Sequence, residues 1–142
     1  MSERPIYETV ADIRREADVA GVIASLWKCT TRKMKRLYSV DFALMRGKEV
    51  MAWAEIKCRD ASYPTFIISL KKWMDGLELA EASGSPFLII VSWPVDGVRI
   101  LMYHRVERKL IRVIFGGRTD RSDPDDVEPL VEIPVTSFKV IA

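Results

Sequence analysis

A continuous apolar run, Phe87 to Trp93, constrains the fold of this chain more than any other segment. Its composition is typical of a strand that is buried on both faces of a sheet. Such a strand needs covering layers on both sides, and two segments with helical spacing of apolar residues can provide them. The first helix is predicted from about Tyr7 to Lys28. The second is predicted from Thr65, as its N-cap, to about Ser83, with Gly84 ending it.

Each predicted helix has one apolar stripe that should face the sheet. On the first helix the stripe consists of Val10, Ile13, Ala17, Ala20, Ala24 and Trp27. On the second helix it consists of Phe66, Leu70, Trp73, Leu77 and Ala80.

The remaining segments predict further strands around the central one. Leu37–Met45 and Val50–Cys58 flank a turn at Gly47 and form a predicted β-hairpin, bounded by loops at Cys29–Arg36 and Arg59–Pro64. Strands are also predicted at Val98–Tyr103 and Leu110–Phe115, a polar loop at Gly116–Pro129, and short edge strands at Leu130–Ile133 and Phe138–Ile141, because Pro134 should keep that region from a central position. The order α-β-β-α-β-β-β predicts an α/β fold, a mixed β-sheet flanked by helices, in one domain over residues 1–142.

Composition excludes several classes of protein. The 142 residues are 49% hydrophobic and 30% charged, a balance typical of a soluble globular domain. No apolar run approaches the roughly 18 residues that span a bilayer, and the charged N-terminus has no apolar signal core, so we expect a cytoplasmic protein without a membrane partner. Cys29 and Cys58 lack metal-ligand spacing, and with His104 as the single histidine a zinc site or a Cys/His catalytic pair is hard to build.

Three ionisable residues interrupt the apolar strands of the predicted hairpin. Asp41 lies in the first strand, and Glu55 and Lys57 lie in the second, each among apolar neighbours. Burying an unpaired charge costs several kcal/mol, on the order given for uncompensated groups. Two carboxylates and an ammonium brought together would offset one another, and a divalent cation would offset the carboxylates further.

Strand alternation predicts how these residues are grouped. Glu55 and Lys57 point to the same face because side chains alternate along a strand. Asp41 joins that face if the hairpin closes with an odd residue count, for example through a three-residue loop containing Gly47 with a G1 bulge. A two-residue loop would place Asp41 on the opposite face and break the site.

The grouped residue types suit phosphodiester hydrolysis. Mg²⁺ or Mn²⁺ prefers carboxylate oxygens, water and substrate phosphate as ligands. A bound metal polarises the phosphate and lowers the pKa of its water, and a nearby lysine can orient that water. The alternative is a surface hairpin whose charges face the solvent.

A basic cluster precedes the hairpin and indicates the partner. It consists of Lys28, Arg32, Lys33, Lys35 and Arg36. Such a cluster suits a phosphate backbone, although a solvated loop is the alternative for any charge run.

The motif Asp41…Glu55-Ile56-Lys57, after one helix and before a second helix and a buried strand, resembles the PD-(D/E)XK nuclease superfamily. The resemblance covers about the first hundred residues and is strongest to small phage-type and Holliday-junction-resolvase-like members. The proline of the family name is absent, since Val40 precedes Asp41. The resemblance implies a metal-dependent DNA nuclease of restriction-endonuclease-like fold.

The resemblance also implies roles for individual residues. Asp41 and Glu55 would bind Mg²⁺ or Mn²⁺, Lys57 would be the catalytic lysine, and Glu16 would be the acidic residue of the first helix near the metal. Lys72 would face the site and contact a phosphate. Separately from the resemblance, the basic cluster supplies the predicted DNA-binding residues Lys33, Lys35 and Arg36.

Some alternatives stay open at the level of sequence. Glu8, Asp12 and Glu16 lie on one side of the first helix at intervals of four, so any of them could face the site. A non-catalytic DNA-binding module with the same fold is the second functional candidate, and a structural protein is the third. Resolvase-like relatives act as dimers because a junction presents two symmetric sites, so a homodimer is also an expectation.

Overall fold

The architecture is described by a computed structural model for residues 9–35, 38–109, 112–117 and 127–142. Two α-helices and nine strands follow one another along these residues. They are α1 (Val10–Trp27), β1 (Thr30–Lys33), β2 (Phe42–Arg46), β3 (Glu49–Cys58), β4 (Thr65–Ser69), α2 (Leu70–Ser83), β5 (Phe87–Val95), β6 (Val98–Arg105), β7 (Val113–Gly117), β8 (Val127–Pro134) and β9 (Lys139–Val140), with a 3-10 turn at Val135–Ser137.

The strands form two sheets. Six strands lie in the order β1-β2-β3-β5-β6-β9, and three lie in the order β4-β8-β7. The β3–β5 pair is parallel and the other pairs of the large sheet are antiparallel. The predicted mixed sheet flanked by helices is therefore confirmed, with β5 in its interior.

The two helices cover opposite faces of the large sheet. Ala20 and Ile23 of α1 pack against Ala54, Ile56 and Ile90, which we call the α1-side core. Trp73 of α2 packs with Ile89, Val91, Trp93 and Val131 in a second cluster, which we call the α2-side core. The face of each strand residue follows from alternation along the strand, so odd-numbered residues of β5 face α2.

The first helix begins where its capping residues predict, but its buried stripe differs from the expectation. Thr9 is the N-cap, and its side chain and that of Asp12 form a capping box. The prediction that Val10, Ile13 and Ala17 face the core is wrong, because Val10 and Ile13 are 74% and 46% exposed and Ala17 is exposed as well. Glu16, Ala20 and Ile23 are the buried residues of this helix. The buried stripe of α1 therefore contains the charged residue Glu16, which a search for regularly spaced apolar residues does not detect.

The second helix starts later than predicted, because its expected first turn, Thr65–Ser69, is strand β4. The β-branched residues of this segment pair with β8, where Phe66 faces Ile133 across the ladder. The helix has Ser69 as its N-cap and ends at Gly84, which has a φ of 78°. The rest of the stripe packs as predicted, whereas Phe66 reaches the core from a strand.

Two further predictions are wrong, one for a loop and one for an edge strand. Residues of the predicted loop 29–36 form β1, which pairs with β2 from Thr30 to Lys33. Leu130–Ile133 belongs to β8, which is the central strand of the small sheet and not an edge. Pro134 permits this because it is the last residue of β8.

The remaining C-terminal predictions agree with the structure where it describes them. The predicted strand at 110–115 corresponds to β7, although residues 110 and 111 lie outside the described residues. Most of the predicted loop 116–129 also lies outside them, and its two ends belong to β7 and β8. Strand β9 is an edge strand, as predicted for 138–141. In the part of the chain that the structure describes, no helix is long and apolar enough to cross a membrane.

Candidate active site

The β2–β3 hairpin places Asp41 beside Glu55 through a bulge. The turn contains two residues, Gly47 and Lys48, with Gly47 at φ 59°. Leu44 pairs with Ala52 while Met45 pairs with Val50, so β3 contains one extra residue, Met51. The predicted three-residue loop is therefore wrong, but the bulge supplies the odd count that the prediction required.

The other face of the hairpin is packed largely as this register demands. Its residues in the α1-side core are Phe42, Leu44, Ala52, Ala54 and Ile56. By alternation Val40 should be among them, but it lies in the α2-side core. Residues 38–41 form a bend before β2, so strand alternation does not extend to Val40.

Four charged side chains meet on the α2 side of the sheet. Glu55 is completely buried, and its Oε1 accepts a hydrogen bond from Lys72 Nζ at 2.8 Å. Lys57 Nζ lies 3.0 Å from the same oxygen. Lys72 Nζ is also 3.6 Å from Asp41 Oδ1, so one ammonium contacts both carboxylates. The structure thus brings together Asp41, Glu55, Lys57 and Lys72.

The surroundings shift the pKa values of these groups in different directions. Burial and then the neighbouring Glu55 raise the pKa of Asp41, against the opposing effect of the lysines. Burial also acts to raise the pKa of Glu55, but Lys57 and Lys72 outweigh it and hold that pKa below its usual value. Burial acts to lower the pKa of Lys57, and the two carboxylates outweigh it and raise that pKa. Glu55 and Lys57 are therefore charged at neutral pH.

The first helix contributes Glu16 at the border of this cluster. Glu16 is 5% exposed, its Oε2 is 3.9 Å from Lys33 Nζ, and its charge helps to raise the pKa of Lys57. Asp12 instead caps α1 and pairs with Arg15 at 3.4 Å, while Glu8 lies outside the described residues. Of the two candidates Asp12 and Glu16, Glu16 is the buried one beside the cluster, while the charge of Asp12 also reaches Lys57.

The carboxylate pair fits a divalent cation. Among the described residues, no hydrogen-bond partner is found for the buried Oε2 of Glu55. A buried carboxylate oxygen without a partner is costly, and hard cations bind such oxygens. Within the same residues no three His, Cys, Asp or Glu side chains form a metal-binding group, so Glu16 borders the pair without closing a three-acid cluster.

The predicted DNA-binding residues occupy different positions. Lys33 lies on β1 with its ammonium 4.9 Å from the centre of the Phe42 ring, next to Glu16. Lys35 is exposed just beyond that strand. Arg36 lies outside the described residues. Lys72 is in the cluster itself, as its predicted position on the second helix implied.

One hydrogen-bonded pair that ties the site together has no clear signal in the sequence. Ser39 Oγ donates a hydrogen bond to Asp75 Oδ2 at 3.0 Å, which joins the bend before Asp41 to helix α2. Asp75 follows Lys72 by three residues and thus lies on the same side of α2. That spacing is the only available signal, and it is shared by many helical residues without such a role.

Comparison with known proteins identifies the family. A profile described as "Phage putative PDDEXK endonuclease" matches residues 2–141. Among solved structures, Archaeoglobus fulgidus Hjc, a Holliday junction resolvase from an archaeal hyperthermophile, superposes with a TM-score of 0.58 at 16% identity, covering 93% of each chain. At that identity the likeness shows the fold. A search of functionally curated proteins finds no significant match. The chain belongs to the phage PDDEXK endonuclease family, and its fold is that of the resolvase.

Proposed function

We propose that this protein hydrolyses DNA phosphodiester bonds with Mg²⁺ or Mn²⁺ bound by Asp41 and Glu55. The observation that carries the proposal is the buried Oε2 of Glu55, which has no hydrogen-bond partner among the described residues, on a carboxylate that shares the Lys72 ammonium with Asp41. Family membership supports nuclease activity independently of this geometry. A bound divalent cation would polarise the scissile phosphate and lower the pKa of a coordinated water.

Lys57 is the proposed catalytic lysine. Its ammonium is fixed 3.0 Å from Glu55 Oε1, yet 29% of the side chain is exposed to solvent. A fixed, accessible cation can orient an attacking water and stabilise the negative charge that develops on the phosphate. Glu16 is proposed as a further acidic residue of the metal centre, acting from the border of the cluster where its charge reaches Lys57.

The proposed DNA contacts extend from the carboxylates to strand β1. Lys33 is next to Glu16. Lys35 is exposed and lies two residues after the end of β1. We propose that these lysines, together with Arg36, bind phosphates beside the scissile one, and that Lys72 contacts a phosphate at the centre. The salt dependence of DNA binding should then be steep.

The second candidate function is a non-catalytic DNA-binding module with this fold. The presence of Asp41, Glu55 and Lys57 in one cluster favours the enzyme, because the buried Oε2 of Glu55 has no hydrogen-bond partner among the described residues and a bound cation would supply one. The resolvase that shares the fold is named for four-way junctions, so branched DNA is a substrate to test. A homodimer remains a prediction.

The test is cleavage of supercoiled plasmid, single-stranded DNA and a four-way junction with Mg²⁺, with Mn²⁺ and with chelator. Asp41→Asn should abolish cleavage and leave DNA affinity within about threefold, because the change removes a metal ligand and no proposed phosphate contact. Fluorescence anisotropy in chelator measures that affinity, because a bound cation would itself contribute to DNA binding. Asp96→Asn, at an exposed turn between β5 and β6, is the matched control and should cleave normally. Normal cleavage by Asp41→Asn would show that Asp41 is not a metal ligand.

A further inference from the structure

Lys72 occupies an unusual position for a residue that would contact substrate. Its ammonium bridges the two carboxylates, at 2.8 Å from Glu55 Oε1 and 3.6 Å from Asp41 Oδ1. Lys57 contacts the same oxygen of Glu55 from the strand. Glu55 therefore keeps one lysine partner if Lys72 moves away. The Lys72 side chain is 37% exposed, so a route to solvent exists.

The formal charges of this cluster balance without a metal. Asp41 and Glu55 contribute two negative charges, and Lys57 and Lys72 contribute two positive ones. A divalent cation among them would face two ammonium groups, and charges about 4 Å apart interact strongly even at the effective dielectric of a protein surface. A DNA phosphate would restore the balance by giving Lys72 another anionic partner.

We propose that Lys72 is a positioning residue that makes metal binding and DNA binding depend on each other. In the free protein its ammonium holds the carboxylate pair and opposes the divalent cation. When a DNA phosphate reaches the site, Lys72 turns from the carboxylates to that phosphate, and the carboxylates become available to the cation. This inference rests on the proposed function, since it takes Asp41 and Glu55 as the metal ligands.

Linkage requires the effect to be reciprocal. If DNA raises the affinity for the cation by some factor, the cation must raise the affinity for DNA by the same factor. Replacing Lys72 by a neutral residue should bring that factor toward one, because the free protein then no longer holds a competing ammonium. A lysine that only contacts phosphate would weaken DNA binding on replacement and leave metal affinity in the free protein unchanged.

The experiment measures Mn²⁺ affinity by electron paramagnetic resonance of the free ion, with and without a duplex whose leaving oxygens are replaced by methylene groups, so that its phosphonate linkages resist hydrolysis. Lys72→Met should bind Mn²⁺ about tenfold more tightly than the natural protein in the absence of DNA. Lys72→Gln should behave similarly, since it also removes the charge and keeps a donor for Glu55. Lys72→Arg should stay close to the natural protein. Lys71→Met is the matched control, because Lys71 is the neighbouring lysine and pairs with Asp75 instead.

Thermal unfolding of each variant establishes that it is folded before the titration. Equal or weaker Mn²⁺ binding by both neutral variants would overturn the inference. The result is separable from the proposed function, because the titration needs no cleavage. Cleavage by the natural protein together with unchanged Mn²⁺ affinity in Lys72→Met would defeat this inference alone. Failure of the natural protein to cleave any DNA would defeat the proposed function instead.

Discussion

Glu55 carries a charge at a position without solvent exposure, and its two lysine partners make this tolerable. Removing one partner of a buried ion pair typically destabilises a protein by about 3–5 kcal/mol, because the other charge is left uncompensated. Here each lysine can still neutralise Glu55 when the other is absent. This redundancy makes variants of Lys72 practical, because Glu55 keeps a positive partner in each of them.

The shared site predicts opposite effects of protonation at its two carboxylates on the stability of the protein. Asp41 has a raised pKa, from burial and from Glu55, and Glu55 has a lowered pKa because the lysines outweigh its burial. As pH falls, protonation of Asp41 should relieve unfavourable charge and favour the folded state. Protonation of Glu55 should have the opposite effect, because the stability from its ion pairs then disappears. Carboxyl-carbon NMR titration in chelator measures both groups.

The control for this titration is Asp41→Asn, which removes the transition of Asp41 and the like charge beside Glu55. A raised pKa for Glu55 would contradict the assignment of the lysines to Glu55.

Single residues also mark the limit of what the sequence could predict at the site. Alternation is sufficient to group Glu55 with Lys57, because both lie in one regular strand. The contact of Lys72 with both carboxylates depends on how α2 packs on the sheet, and no local pattern specifies that packing. Similarly, Val40 departs from its expected face because the strand begins only at Phe42.

At the scale of elements, the packing of α2 on β5 sets the position of Lys72. Gly76 is buried one turn after Lys72, and a Cβ at Gly76 would overlap the ring of Phe87. The helix can approach the strand this closely only with glycine at this position. Lys72 reaches the carboxylates from the first turn of the same helix.

Gly76→Ala should therefore lower the free energy of unfolding by about 1–3 kcal/mol, the usual range for overpacking a core. It should also reduce cleavage, because α2 must move away from β5 and carry Lys72 with it. The control is Gly21→Ala on α1, where a Cβ meets nothing within 4 Å. That change should keep activity and raise stability by up to about 1 kcal/mol, as alanine favours helix. Urea unfolding measures both stabilities, and equal effects would refute the packing argument.

Elements with strong local signals can be predicted from the sequence, and those that depend on distant partners cannot. The capping box of α1, Gly84 after α2 and the apolar run of β5 act within their own segments. Strand β4 resembles helix in sequence because Thr65–Ser69 continues a helical spacing of apolar residues. Its strand form depends on pairing with β8, which lies about sixty residues later in the sequence. The sequence could predict that the hairpin has an odd residue count, because only that count places Asp41 on the same face as Glu55. It could not predict that the extra residue is Met51 of β3.

At the scale of the whole molecule, the proposed site lies toward the β1 edge of the large sheet. Asp41 directly precedes β2, and Glu55 lies in the neighbouring strand β3. Lys33 lies in β1, the outermost strand at this end of the sheet. Strand β9 forms the opposite edge and carries the exposed Lys139. A DNA backbone bound at the carboxylates should therefore contact the β1 edge and leave the β9 edge free.

This arrangement predicts a difference in salt dependence between two double variants of equal charge. Replacing Lys33 and Lys35 by alanine should weaken binding to every duplex sequence and make the slope of log affinity against log salt shallower, by about 0.9 for each phosphate that the protein no longer neutralises. Replacing Lys48, in the hairpin turn, and Lys139 removes the same charge and should leave the slope unchanged. Anisotropy titrations between about 50 and 200 mM salt measure both slopes. Equal slopes in the two variants would mean that net charge, and not the β1 edge, governs DNA binding.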